Sequence, residues 1–135
     1  MVVRELLDEI NAFWRGELSR NALAEQWDRD LEVHWHDAQT YPDTPQHLKG
    51  ARELAVFTEQ YRSGWADLVQ ELLEIREAPG GRVLALISQS GRGRQSGVPI
   101  VIHFFEVFTI RDGNLQRIEY FRHRADALEA AGLEE

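Results

Sequence analysis

The sequence lacks several features that would indicate particular classes of protein. It has no cysteine, which excludes disulfide bonds and thiolate chemistry. It has no run of about 18 apolar residues, so we expect no membrane span and no membrane partner. Basic residues are few, with 15 Lys and Arg against 23 Asp and Glu and a formal net charge of −8. Because a surface that binds nucleic acid must be positive, we expect no nucleic-acid partner.

The length of 135 residues is typical of one hydrophobic core, and we predict a single domain over residues 1–135. The first ten residues, MVVRELLDEI, are amphipathic and acidic, which is not typical of a signal peptide. We therefore expect a cytoplasmic protein.

The first half of the chain is mainly helical in pattern. Residues 3–15 carry an apolar face at helical spacing, Ser19 is the expected N-cap of a second helix, and Gly50 precedes a third helix that runs to about Tyr61. The run LEVHWHD at residues 31–37 alternates between apolar and polar side chains and predicts a strand. The segment after it, AQTYPDTPQHLK, contains two prolines and predicts a loop.

The second half of the chain is rich in strand signals. RVLALISQSGRGR predicts a strand, and the runs VPIVIHFFEVFTI and LQRIEYF predict a hairpin around the glycine turn RDGN. The apolar residues between Trp65 and Ile75 fit a helix as well as a strand, and ADALEAAGL predicts a closing helix that ends at Gly132. Helices followed by antiparallel strands indicate an α+β domain with helices on one face of a sheet.

One carboxylate, Glu106, stands in the middle of the apolar run that begins the hairpin. A two-residue loop would place it opposite Glu119, and like charges in that position are unfavourable. A three-residue loop over residues 111–113 would place it opposite Ile118 instead. We therefore predict the three-residue loop.

Alternation along the hairpin strands predicts two different faces. The inner face should combine apolar side chains with a carboxyl and a phenol, as a small-molecule pocket does, and it carries Ile102, Phe104, Glu106, Phe108, Ile118 and Tyr120. On the outer face, Phe105, Val107 and Phe121 are apolar enough to predict a homodimer through the sheet.

The order and spacing of these stretches resemble a known family over nearly the whole chain. EVHWHD, KGARELAVF, SGRGRQSGVP, FTIRDGNLQRIEYF and DALEAAGL are similar to nuclear transport factor 2-like domains of the SnoaL-like and ketosteroid-isomerase-like branch. The resemblance implies a cone-shaped α+β fold, a cystatin-like roll, in which N-terminal helices pack on a strongly curved antiparallel sheet that encloses an apolar pocket. It also implies a strand over residues 65–77 and a dimer.

The resemblance implies roles for three residues. Asp37 matches the aspartate that acts as a base near the end of the first strand, and Glu106 matches a second carboxylic acid that donates a hydrogen bond to the developing enolate. Phe13 stands where ketosteroid-isomerase-like members have a tyrosine, so steroid isomerisation is disfavoured. Epoxide hydrolases of this fold need an Asp-Arg-Asp arrangement on the central strands. No second aspartate stands near Tyr120, so epoxide hydrolysis is disfavoured as well.

Two functions remain open from the sequence. The first is a cofactor-independent acid–base enzyme, an isomerase or polyketide-cyclase type, that uses Asp37 and Glu106 on a small apolar carbonyl compound. The alternative is a non-catalytic ligand-binding or dimeric interaction module, in which Glu106 is held by Tyr120, Tyr61 or Arg122 and Asp37 simply caps a loop. No cofactor is expected in either case.

A small apolar or aromatic ligand is the expected partner, because aromatic residues dominate the predicted inner wall. Tyr61 and Tyr120 are the expected polar contacts in it. The predicted ligand-binding residues are Phe13, Trp14, Trp35, Thr58, Tyr61, Phe104, Phe108, Ile118 and Tyr120.

Histidines invite a metal hypothesis, which we do not adopt. His34 and His36 share one face of the first strand, and His103 lies on the outer face of the hairpin. A metal site needs a third and a fourth ligand with suitable geometry. The pattern supplies neither, so no metal is expected.

Overall fold

The computed structural model describes residues 2–36 and 47–134. Within these residues the four α-helices are α1 (Val2–Trp14), α2 (Arg20–Glu25), α3 (Ala51–Arg62) and α4 (Arg124–Ala131). The six strands are β1 (Glu32–Trp35), β2 (His47–Lys49), β3 (Trp65–Ala78), β4 (Arg82–Gly93), β5 (Pro99–Arg111) and β6 (Asn114–Phe121).

The strands form one sheet in the order β2-β1-β6-β5-β4-β3. Neighbouring strands are antiparallel except β1 and β6, which run parallel, so the sheet is mixed rather than wholly antiparallel. Parallel neighbours need a long crossover connection, and the path from β1 through α3 and the three long strands to β6 provides it. The predicted α+β class, with the N-terminal helices on one face of the sheet, is confirmed.

Local signals set the helix boundaries. The Ser19 side chain accepts a hydrogen bond from the backbone N–H of Ala22 at 3.1 Å, which is the predicted cap of α2. Gly132 adopts the left-handed conformation at the end of α4, and the N–H of Leu133 donates to the carbonyl of Leu128 at 2.9 Å. These ends were predictable because each depends on residues within one turn of the helix.

Two bulges in β3 explain why the sequence of this strand also fits a helical period. Its pairing with β4 shifts between Ala66 and Val69 and again between Leu72 and Glu74. Each extra residue interrupts the alternation of faces. Apolar side chains on the inner face therefore fall at unequal intervals that imitate a helical period, and the strand implied by the family resemblance is confirmed.

The register of the β5–β6 hairpin differs from the predicted one. Its loop has two residues, Asp112 and Gly113, and both have positive φ values of 53° and 78°. The extra residue is Gln116, which has no partner between the pairs Ile110–Leu115 and Thr109–Arg117. This bulge moves Glu106 away from Glu119 and opposite Tyr120, so a bulge rather than a longer loop resolves the clash of like charges.

The inner face of the sheet carries the main hydrophobic core. It packs against α1, α2 and α3, and buried residues from the helices meet those of β1, β4, β5 and β6. The predicted inner and outer faces of the hairpin have the right members, because the register differs from the prediction by two positions and keeps its parity.

A second cluster lies on the outer face. There α4 places Ala127, Leu128 and Ala131 against Phe105, Val107 and Phe121. The apolar face from which we predicted a dimer is therefore covered by the chain's own last helix. The reason is local: α4 directly follows β6 and folds back over the strand it leaves.

Asn11 joins α1 to the end of the sheet at β3. Its side-chain amide donates to the carbonyl oxygen of Gln70 at 2.9 Å, and its side-chain oxygen accepts from the N–H of Gln70 at 2.9 Å. β2 falls at the end of the segment predicted as a loop. None of the helices within the described ranges has the length and apolarity to span a membrane.

Candidate ligand-binding site

A cavity of about 130 Å³ lies between α1, α3 and the inner face of the sheet. Most lining side chains are those that the periodicity of each element turns inward: one stripe of each helix and alternate residues of each strand. At the end of β6 the alternation breaks down, because Tyr120, Phe121 and Arg122 all line the cavity. The lining residues are Ile10, Trp14, Trp35, Leu54, Phe57, Thr58, Tyr61, Gln70, Gln89, Ile102, Phe104, Ile118, Tyr120, Phe121 and Arg122.

Aromatic rings form one continuous wall of the cavity. Trp35 stacks on Tyr120 with the ring centroids 4.9 Å apart and the planes 3° from parallel. Phe57 also contacts Trp35, with the ring centroids 4.9 Å apart, and the ring centroid of Phe104 lies 5.9 Å from that of Tyr120. Packed rings with few rotatable bonds present a rigid surface, which suits a flat apolar ligand.

The polar side chains of the wall are mostly held in place by neighbours. Gln89 donates its side-chain amide to the Tyr61 hydroxyl at 2.6 Å. Thr58 donates its hydroxyl to the backbone carbonyl of Leu54 at 2.7 Å, so only its acceptor lone pairs remain for a ligand. The cavity therefore has a few fixed polar points in an apolar surround.

Glu106 lies behind this wall and is 3% exposed. Its carboxyl hydrogen-bonds the hydroxyl of Tyr120, the residue opposite it on β6. Its second oxygen, Oε2, has no hydrogen-bond partner among the described residues. Burial raises the pKa of Glu106 to about 8, against a smaller lowering by the Tyr120 hydrogen bond. Glu106 is therefore a neutral carboxylic acid at neutral pH.

Tyr120 connects this buried acid to the cavity. Burial raises the pKa of its phenol well above the ordinary value, and the nearby Glu106 and Tyr61 raise it further. The phenol therefore stays protonated. When Glu106 is neutral, its acid proton can be donated to the Tyr120 oxygen, and the Tyr120 hydroxyl can then be donated to a ligand in the cavity.

Comparison with known protein families assigns the chain to one of them. The family model for the SnoaL-like domain matches residues 3–118. The chain belongs to the SnoaL-like family. None of the curated proteins matches it.

Solved structures share the fold of this SnoaL-like domain at low sequence identity. A candidate SnoaL-like polyketide cyclase from Jannaschia sp. CCS1 is 18% identical, with 98% of this chain and 90% of that chain covered and a TM-score of 0.70. A candidate polyketide cyclase from Sinorhizobium meliloti is 24% identical, with 88% and 92% covered and a TM-score of 0.63.

A third similar structure is a protein with a ketosteroid isomerase-like fold from Catenulispora acidiphila, in complex with trimethylamine. It is 15% identical, with 96% of this chain and 94% of that chain covered and a TM-score of 0.68. These likenesses agree with the fold described above.

Most of the predicted ligand-binding residues of the SnoaL-like domain lie at the cavity. Those that line it are Trp14, Trp35, Thr58, Tyr61, Phe104, Ile118 and Tyr120. Phe13 and Phe108 do not: they are 2% and 0% exposed and pack inside the core. Phe13 faces the Arg62 guanidinium, 4.6 Å from its ring centroid. Asp37 lies outside the described residues.

Several lining residues were missed from the sequence. Gln89 was within reach of a pattern argument, because Val83, Ala85, Ile87 and Gln89 alternate along β4 and the first three are apolar and buried. Gln70 was not, because the bulges of β3 disturb its alternation. Phe57 is among the aromatic residues that the sequence offers for a planar-ligand pocket, but nothing in the sequence separates cavity wall from core.

Proposed function

We propose that this SnoaL-like domain binds a small apolar carbonyl compound in the cavity and promotes proton transfer next to the carbonyl group without a cofactor. The observation that carries the proposal is the pair formed by Glu106, a buried acid, and Tyr120, a phenol on an apolar cavity wall. The candidate polyketide cyclases among the similar structures support this class of reaction.

The size of the cavity narrows the ligand. A dry apolar cavity of about 150 Å³ holds one benzene molecule. The cavity of about 130 Å³ therefore suits a single ring, or one ring of a larger molecule whose remainder reaches the surface. A cyclic enone or a phenol matches both the size and the aromatic wall.

The proposed chemistry uses Tyr120 as the donor. When a base removes a proton from the carbon next to the carbonyl, negative charge develops on the carbonyl oxygen. A hydroxyl held in an apolar site stabilises that charge without reorganising water. The neutral Glu106 behind it keeps the phenol aimed at the ligand, because an acid proton donated to the phenol oxygen leaves the phenol proton for the ligand.

The base is proposed to be Asp37. It follows Trp35, a cavity residue, by two positions in the sequence. Its carboxylate would take the proton from carbon and return it to the same or a conjugated carbon, so that no redox partner or cofactor is consumed.

Exchange of carbon-bound hydrogen for deuterium tests the proposal without knowledge of the substrate. Cyclohexenone in D₂O is followed by proton NMR with the wild-type protein and with Tyr120→Phe, Glu106→Leu and Asp37→Asn. We expect the wild type to accelerate exchange next to the carbonyl, and each variant to lose on the order of 100-fold or more. Tyr61→Phe is the comparison variant: it removes the other cavity phenol, which accepts a hydrogen bond from Gln89, and it should cost much less than Tyr120→Phe.

A non-catalytic ligand-binding module is the second candidate. It is favoured by Phe13, which brings no hydroxyl and does not reach the cavity. Quenching of tryptophan fluorescence by phenol measures binding, since Trp14 and Trp35 line the cavity. Phenol binding that is weakened by Tyr120→Phe, with no exchange of cyclohexenone protons, would establish this second function and contradict the enzymatic one.

A further inference from the structure

A group of three side chains with metal-ligating atoms lies on the outer face of the sheet, away from the cavity. Glu32 and His34 project from the same face of β1, and His47 on β2 pairs directly with His34. We name these three residues the β1–β2 cluster. The neighbouring Val33 and Leu48 point to the core instead, so the sheet separates the cluster from the cavity.

The ligand atoms of the β1–β2 cluster already converge. Nε2 of His34 and Nε2 of His47 each lie 3.9 Å from Oε1 of Glu32, and the three ligand atoms are all within 4.8 Å of one another. Around a tetrahedral zinc ion with bonds of about 2.1 Å, neighbouring ligand atoms are roughly 3.4 Å apart. Small side-chain rotations on a fixed backbone would close that difference.

One atom of the cluster lacks the partner that its burial requires. Nε2 of His34 is inaccessible to solvent and has no hydrogen-bond partner among the described residues. At 3.9 Å, the Glu32 oxygen is too far away to form a hydrogen bond with it. A buried ring nitrogen without a hydrogen-bond partner costs free energy, and in the tautomer with the proton on Nδ1 a cation between His34 and Glu32 would satisfy the Nε2 lone pair.

We propose that Glu32, His34 and His47 bind one divalent transition-metal ion of the zinc class. Two imidazole nitrogens and one carboxylate oxygen are a ligand set that zinc accepts, with water in the fourth position. The prediction of no metal was based on the lack of a third ligand beside the His34–His36 pair. His47 was not recognised because it lies in a segment predicted as a loop.

The neighbouring His36 and Glu119 are not part of this site. Nε2 of His36 lies 3.1 Å from Oε1 of Glu119, and its ring stacks on Phe121 at 4.5 Å. Glu119 also faces Arg117 at 3.9 Å. His36 therefore already has a polar partner and a packing partner, while Nε2 of His34 has no hydrogen bond to any residue of the described ranges.

The proposed role of the ion is to fasten β2 to the sheet. Among the described strands β2 lies at one edge of the sheet, and within residues 47–49 it pairs with β1 through three residue pairs. A metal shared by His34, His47 and Glu32 would cross-link the two strands on their outer face. Trp35, which lines the cavity, is the residue after His34, so fixing β1 also fixes that part of the cavity wall.

Titration calorimetry with zinc tests the site in protein freed of any polyhistidine tag. The absence of cysteine means that no thiolate can bind the ion instead. We expect one zinc per chain and a loss of at least about tenfold in affinity for Glu32→Gln, His34→Gln and His47→Gln, since even outer-shell changes cost 10–100-fold. His36→Gln and His103→Gln are the matched controls and should keep the wild-type affinity.

Two results would overturn the proposal. One is a wild-type affinity no greater than that of the His34→Gln/His47→Gln double variant. The other is a loss in His36→Gln as large as that in His47→Gln, which would assign zinc to the His34–His36 pair. The role in fastening β2 has its own readout: zinc should slow amide hydrogen exchange at residues 47–49 in the wild type, and unchanged exchange would contradict it.

Discussion

Glu106 shows how one buried group links fold and chemistry. Its place in the sequence marked it as unusual, because a carboxylate in an apolar strand needs a partner or a function. That argument found the residue and its face, but the partner depended on register. In the structure the partner is Tyr120, and burial keeps the carboxyl neutral.

The raised pKa of Glu106 predicts the pH dependence of stability. The folded protein holds this proton up to about pH 8, whereas the unfolded chain releases it near the ordinary pKa of 4.5. Between these values the folded state binds more protons, so the free energy of unfolding should fall as pH rises, by up to about 1.4 kcal/mol per pH unit. Urea denaturation at several pH values measures this slope.

Glu106→Gln is the matched variant for that measurement, since it keeps the shape and the hydrogen-bonding capacity without the titration. We expect the variant to lose most of the decline between about pH 5 and pH 8. Equal slopes in the two proteins would show that Glu106 is ionised in the folded state.

At the scale of elements, the β5–β6 hairpin contains the feature that aligns the site. The two-residue turn alone would set Glu106 opposite Glu119. The single extra residue Gln116 shifts the pairing of all the β6 residues after it, 117–121, by one position. The pairing of Glu106 with Tyr120 is therefore a consequence of a bulge some distance along the strand.

Single-residue deletions in β6 test this account. Deleting Gln116 removes the extra residue and leaves every other pair in place, so the variant should fold at a cost on the order of 1 kcal/mol. Deleting Ile118, which is 1% exposed, must either turn Glu119 inward or place Arg117 opposite Phe108. We expect that matched deletion to cost about 3 kcal/mol or more, and equal stabilities in thermal unfolding would contradict the assigned register.

Elements differ in how far the sequence predicts them. Helix ends such as Ser19 and Gly132 were predictable, because a cap depends only on its own turn. β3 and the hairpin register were not, because a bulge is decided by pairing with a distant strand. The β1–β2 cluster was not predicted for the same reason. His47 meets His34 only because β2 pairs with β1, and the sequence pattern does not indicate that pairing.

At the scale of the whole molecule, the sheet has two differently covered faces. The inner face meets three helices and holds the cavity, while α4 covers one end of the outer face. At the other end Val69 and Val101 flank Ser90 in one row across three strands. The side chains of Val69 and Val101 are 43% and 65% exposed and lie on the same face of the sheet, on the two strands that flank β4.

We propose that two copies of the chain associate through this row, which replaces the α4-covered face as the predicted dimer contact. Val101→Lys should shift sedimentation velocity towards the monomer, because a charge placed within an apolar contact must be desolvated. Val98→Lys, at an apolar position that is 54% exposed just before β5, is the matched control. A wild type that is monomeric at all concentrations would contradict the proposal.

The contact between Asn11 and Gln70 has a consequence for solubility. β3 ends the sheet, and the free backbone groups of an end strand can pair with a strand of another molecule and start aggregation. The Asn11 amide imitates the backbone of a neighbouring strand at that position, because it supplies one donor and one acceptor to the same residue. A side chain of α1 thus occupies backbone groups of β3 that could otherwise pair with a strand of another molecule.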